Sequence, residues 1–96
     1  MPEEVAIYHI TDEVDTKPET IIKDGEKFYW IHIHNTSSNT LLVSFDGGTN
    51  WKKIGADKTL EIKAPENRQI RLTDPLKMKG SGANTTFEIL LMKERS

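Results

Sequence analysis

Short runs of alternating apolar and polar residues, each stopped by Gly, Pro, Asn or Asp, recur along the whole chain. Alternation of period two is the signature of a strand, whereas a surface helix needs apolar groups at i, i+3 and i+4. No window of helical length keeps such a stripe. Strands are expected over residues 5–10, 19–23, 26–34, 40–45, 51–54, 58–63, 68–73, 76–79 and 85–93. The prolines stand beside turns rather than inside strong runs, as strand pairing requires. The pattern predicts an all-β fold: a single antiparallel β-sandwich or small barrel of seven to nine short strands, with little or no helix. One domain spans residues 1–96, with 1–18 a candidate extended arm and 11–17 a polar, acidic loop.

Ninety-six residues, 35% of them hydrophobic, suffice for one thin core but not for a core plus a deep substrate pocket. A core this thin makes a homo-oligomeric or assembled state the expectation, because a partner buries what the monomer cannot. Thirteen basic and fifteen acidic residues are interspersed, so no electrostatic footprint for nucleic acid is present. There is no cysteine, which removes disulfides, thiolate catalysis and Cys-ligated zinc together. No run reaches membrane-spanning length, and the Met-Pro-Glu-Glu start is acidic where a secretion signal is basic. The expectation is a chain synthesised in the cytoplasm, with neither membrane nor nucleic acid as partner.

The strongest local signal is Ser44-Phe45-Asp46-Gly47-Gly48-Thr49-Asn50-Trp51. Asp46-Gly47 is a hairpin dipeptide, since glycine accepts positive φ and Asp bonds its own turn backbone. The spacing Ser-x-Asp-x-Gly-x-x-Trp resembles the Asp-box of sialidases and β-propeller glycosidases, with Asn50 where that family commonly has threonine. The resemblance covers eight residues and implies a hairpin fold element away from any catalytic centre. Ser44, Asp46, Gly47, Gly48 and Trp51 are therefore read as structural, with Trp51 a packing residue.

Catalytic and metal chemistry have little to stand on. His32 and His34 are two apart on one strand and share a face, a spacing that can place two imidazoles on one metal. His9 adds a third ligand only if its strand pairs alongside. Alternation alone also explains the pattern, with Tyr29, Ile31 and Ile33 inward and Trp30, His32 and His34 outward. Asp12, Glu13 and Asp15 form an acidic loop cluster without the glycine or terminal glutamate of an EF-hand. Gly80-Ser81-Gly82 opens no helix and so lacks phosphate-binding geometry. No Ser-His-Asp arrangement can be drawn. The reading assigns no catalytic residue, metal ligand or cofactor, and hence no enzyme.

The outward faces are more informative. Trp30, and Leu42 with the parity of Ser44, are apolar where solvent is expected. On the last strand Phe87, Ile89 and Leu91 fill one face while Leu90 and Met92 occupy the other. Strands apolar on both sides are covered on both sides, by a second layer, a neighbouring subunit or a partner, or by the sheet wrapping on itself. Trp30, His32, His34, Leu42, Leu90 and Met92 are the candidate interface.

The run Val43-Ser44-Phe45-Asp46-Gly47-Gly48 with Trp51-Lys52-Lys53-Ile54 is similar to small all-β virion proteins of tailed bacteriophages. Ile70-Arg71-Leu72, and Lys79-Gly80-Ser81-Gly82-Ala83-Asn84 followed by Thr86-Phe87-Glu88-Ile89-Leu90, extend the likeness over roughly residues 40–92. The resemblance implies a non-enzymatic capsid decoration, cement or head–tail accessory protein. Its partners would be capsid or tail proteins and its place the virion, often as a trimer or other ring. The N-terminal 35 residues carry no such likeness and leave room for a partner-binding arm. The alternative is a carbohydrate-binding β-sandwich module in which Tyr29, Trp30 and Trp51 stack on sugar rings.

Overall fold

The computed structural model describes residues 4–95. Ten strands follow in order: β1 (Val5–Val14), β2 (Glu19–Ile22), β3 (Lys27–Phe28), β4 (Trp30–Asn35), β5 (Leu41–Ser44), β6 (Lys52–Ile54), β7 (Thr59–Lys63), β8 (Ile70–Arg71), β9 (Leu76–Gly80) and β10 (Thr85–Glu94). All pairings are antiparallel, in two four-stranded sheets of order β1-β10-β4-β7 and β2-β9-β5-β6, with β3-β8 a short ribbon. Successive strands cross between the sheets at β1–β2, β4–β5, β6–β7 and β9–β10. That is the connectivity of a jelly-roll sandwich.

The expected all-β sandwich is present, with three local differences. The run 26–34 is not one strand. It breaks at Tyr29, whose N–H donates to the Met92 carbonyl at 2.8 Å while its own carbonyl accepts from Ala64 N–H at 2.8 Å. Phe28 and Ile31 are both buried although three residues apart, so one residue is spent turning the chain from the ribbon into the first sheet. That break makes ten strands rather than nine, and it leaves Tyr29 at a bend instead of in the inward row. The first strand does not stop at Ile10: Thr11, Asp12, Glu13 and Val14 pair with Glu88, Phe87, Thr86 and Thr85, so the expected loop 11–17 shortens to residues 15–17. Residues 5–14 of the candidate arm are thereby an edge strand paired along its length. Residues 1–3 lie outside the described residues. The run 68–73 contracts to the two residues of β8.

Alternation places the core. Ile31, Ile33, Phe87, Ile89 and Leu91 from the first sheet meet Leu41, Val43, Ile54, Leu76 and Met78 from the second in one buried cluster with Phe28, Val14 and Leu72. Because this cluster lies between the sheets, their outer faces point to opposite sides of the molecule. Each fully buried aliphatic or aromatic side chain contributes about 1.5–3 kcal/mol by leaving water.

Candidate functional site

The register of the first sheet arranges its outward side chains in rows. Ile7, Met92, Trp30 and Lys63 are cross-strand neighbours from β1 to β7, and the next row is His9, Leu90, His32 and Glu61. A third row holds Thr11, Glu88, His34 and Thr59. Apolar side chains therefore run unbroken across three strands in the first row, with Leu90 beside them. Ile7 is 63% exposed and Val5, next along β1, 51%. Trp30, His32, Leu90 and Met92 are half-buried by one another. Trp30 and His32 stack with ring centroids 5.8 Å apart and planes at 19°, and the indole N–H donates to Glu61 Oε2.

Five of the six side chains singled out from sequence thus share one face. Leu42 does not. It points outward from the second sheet, between Lys53 and Lys79. Ile7 and Val5 were missed, although 5–10 is apolar at both parities just as 89–92 is. The three histidines all lie on the first face but do not converge. β10 stands between β1 and β4, so His9 and His32 are two strand spacings apart, about 10 Å. His9 Nε2 is 3.3 Å from Glu88 Oε2 and His34 Nε2 is 2.8 Å from Asp57 Oδ1. Among the described residues no group of three or more His, Asp or Glu is placed to hold a metal ion.

The Ser44–Trp51 turn is closed by side chains. Asp46 Oδ1 accepts the N–H groups of Asn50 at 2.8 Å and Thr49 at 3.1 Å and the Ser44 hydroxyl at 2.7 Å. Asn50 Nδ2 donates to Asp46 Oδ2 at 2.7 Å, and Ser44 Oγ accepts Gly48 N–H at 2.8 Å. Gly47 and Gly48 adopt φ of 73° and 104°, a region that favours glycine. The Asn50 backbone N–H, then the Ser44 hydroxyl and the Asn50 amide, lower the Asp46 pKa from 3.8 to about 2. The ionised form is favoured in the folded state, so its stabilising effect is complete above pH 3.8 and is lost as pH falls towards 2. Asp46→Asn is accordingly expected to lower the urea midpoint at pH 6 and to flatten its decline between pH 4 and pH 2. An unchanged acid limb would separate the turn from acid stability.

Trp51 packs on the outer side of the second sheet, with Lys79 Nζ 4.4 Å above its ring centroid. Trp30 and Trp51 therefore face opposite directions and form no common platform for a sugar. Tyr29 sits at the bend, its hydroxyl 3.4 Å from Glu94 Oε1. A cleft of about 450 Å³ opens between the free edges of β1 and β2, walled by Tyr8, Ile10, Ile21 and Leu91. At its mouth Lys93 bonds Glu26 at 2.6 Å and lies 4.9 Å over the Tyr8 ring.

No protein-family model matches the chain, and no curated protein matches it. Among solved structures it is similar to a chain from the Bacillus endospore appendages, described as a novel family of disulfide-linked pili. The match has a TM-score of 0.66 at 12% identity and covers 97% of this chain and 88% of that one. The likeness is one of fold, and it extends over the whole sandwich.

Proposed function

We propose that this chain is a non-enzymatic structural subunit that acts by packing into a larger assembly of repeated subunits outside the cell. The observation that carries the reading is the row Ile7, Met92 and Trp30 on the outer face of the first sheet, with Leu90 beside it. Its aromatic anchor is ringed by polar groups, the composition of an interface centre with a polar rim. The pilus likeness supports assembly from identical subunits. These 96 residues contain no cysteine, so they cannot form disulfide links of the kind named for the pilus. The finer form is a decoration, cement or head–tail accessory protein of a tailed-phage virion, supported by the sequence likeness over residues 40–92.

The test is the state of the purified protein over a concentration series, by sedimentation velocity and mass photometry. Wild type is expected to assemble, or to bind a purified capsid or filament. The double variant Trp30→Ser with Met92→Ser is expected to stay monomeric with an almost unchanged thermal midpoint. Loss of a buried tryptophan anchor costs about 2 kcal/mol, about thirtyfold in affinity. A monomer at every concentration that binds no particle, or tryptophan-dependent glycan-array binding by a monomer, would overturn the reading.

A further inference from the structure

The outer faces of the two sheets carry opposite charge. On the first face the strands turn Glu13, Glu61, Glu88 and Glu94 outward against a single Lys63. On the second face the outward residues are Thr20 of β2, Lys77 and Lys79 of β9, Leu42 of β5 and Lys53 of β6, with the Ser44 side chain buried beneath its turn. By register the charged side chains on this face are lysines, while the exposed Glu19 at the start of β2 pairs with the inward-facing Met78. Among the described residues none of the three lysines has a carboxylate at ion-pair distance. Apolar groups lie at both surfaces, Ile7, Leu90, Met92 and Trp30 on the acidic side and Leu42 and Trp51 on the basic side.

We infer that copies of this chain stack front to back, the acidic face of one sandwich seated on the lysine face of the next. This rests on the assembly reading and names the partner of its apolar face. Two acidic faces brought together would set like charges opposite one another, which costs affinity and suppresses that pairing. Opposite faces attract and leave the aliphatic stems of Lys53, Lys77 and Lys79 to pack over Trp30 and Met92. The two faces are different surfaces on opposite sides of the sandwich, so the contact is heterologous. Repeating it propagates an open stack instead of closing a dimer.

Two charge-reversed variants test the arrangement. Glu61→Lys with Glu88→Lys makes both faces basic, and Lys77→Glu with Lys79→Glu makes both acidic. All four positions lie on exposed or half-exposed outer faces, and circular dichroism of each variant checks its fold. Each variant alone is expected to lose self-association by at least about tenfold, and wild-type association to weaken about tenfold from low to high salt. An equimolar mixture of the two variants is expected to recover assembly, because every contact in an alternating stack is again acid on base. Sedimentation velocity and negative-stain electron microscopy read the result. Assembly that survives the lysine reversal, or a mixture that stays dispersed, overturns the stacking but leaves the assembly reading standing. A wild type that remains monomeric and binds no particle overturns both.

Discussion

Replacing Asn35 by Asp is expected to destabilise the domain by about 3–4 kcal/mol, a large part of the 5–15 kcal/mol that holds a domain of this kind folded. Asn35 is fully buried. Its amide nitrogen donates to the carbonyls of Asn39 at 2.7 Å, Ile54 at 2.9 Å and Gly55 at 3.1 Å. Its amide oxygen accepts the N–H and hydroxyl of Ser37 at 2.9 and 2.7 Å. An Asp at this position keeps the acceptor and loses both protons, so a second oxygen meets three carbonyl oxygens. The cost is the missing bonds plus electrostatic repulsion in a site closed to bulk solvent. The thermal midpoint should fall by about 15–25 °C. Asn35→Leu, which orphans the same carbonyls without adding charge, should cost less at neutral pH. Burial raises the carboxyl pKa of the Asp variant, so its deficit shrinks as pH drops and the group takes a proton. A thermal midpoint within a few degrees of wild type would mean that these bonds are replaced by water at no cost.

Asn35 also marks how far the sequence could be read. The alternation that sends Ile31 and Ile33 inward sends residue 35 inward as well, and the register to Phe87 shows that it does so. Extended by two residues from Ile33, the pattern would have found a buried asparagine just past the expected end of the strand at residue 34. Thr85 is the same case on the last strand, in line with Phe87, Ile89 and Leu91 and fully buried. Strand type and facing were legible because they depend on local period alone. The break at Tyr29 was not, since it is imposed by backbone bonds to Met92 and Ala64, which are remote in sequence. The same holds for the interface candidates. Parity put Trp30, His32, His34, Leu90 and Met92 outward, but only pairing order shows that β10 lies between β1 and β4. That order brings Ile7 to the apolar row, separates His9 from the other histidines and sends Leu42 to the far side.

Gly80→Ala should cost about as much as the asparagine change, on the order of 4 kcal/mol. Its backbone is not in the left-handed region, so conformational freedom is not what the position requires. Space is. A Cβ on Gly80 would lie 2.1 Å from Thr85 Oγ1, 2.5 Å from Thr85 Cβ and 2.8 Å from the Gly82 carbonyl. Rotating Thr85 moves its hydroxyl but not its Cβ, which is placed by the backbone of β10. Relief therefore requires the end of β9 and the start of β10 to separate. That strains the bond from Gly80 N–H to the Asp15 carbonyl at 2.7 Å, and those from Thr85 to Gly82 at 2.9 Å and from Asn39 to Thr85 at 3.1 Å. Gly55→Ala is the control, because its Cβ would meet only Lys58 Cγ at 3.5 Å, an ordinary contact. That change should stay within about 0.5 kcal/mol of wild type. Thr85→Gly in the Gly80→Ala background removes the obstructing Cβ and should recover part of the loss, a coupling that a double-mutant cycle in urea measures directly. If the two substitutions add without coupling, the clash is absorbed elsewhere. If they couple, Gly80 is the close approach that lets the chain pass from the lysine-bearing sheet to the acidic one, and its loss should loosen both outer faces together.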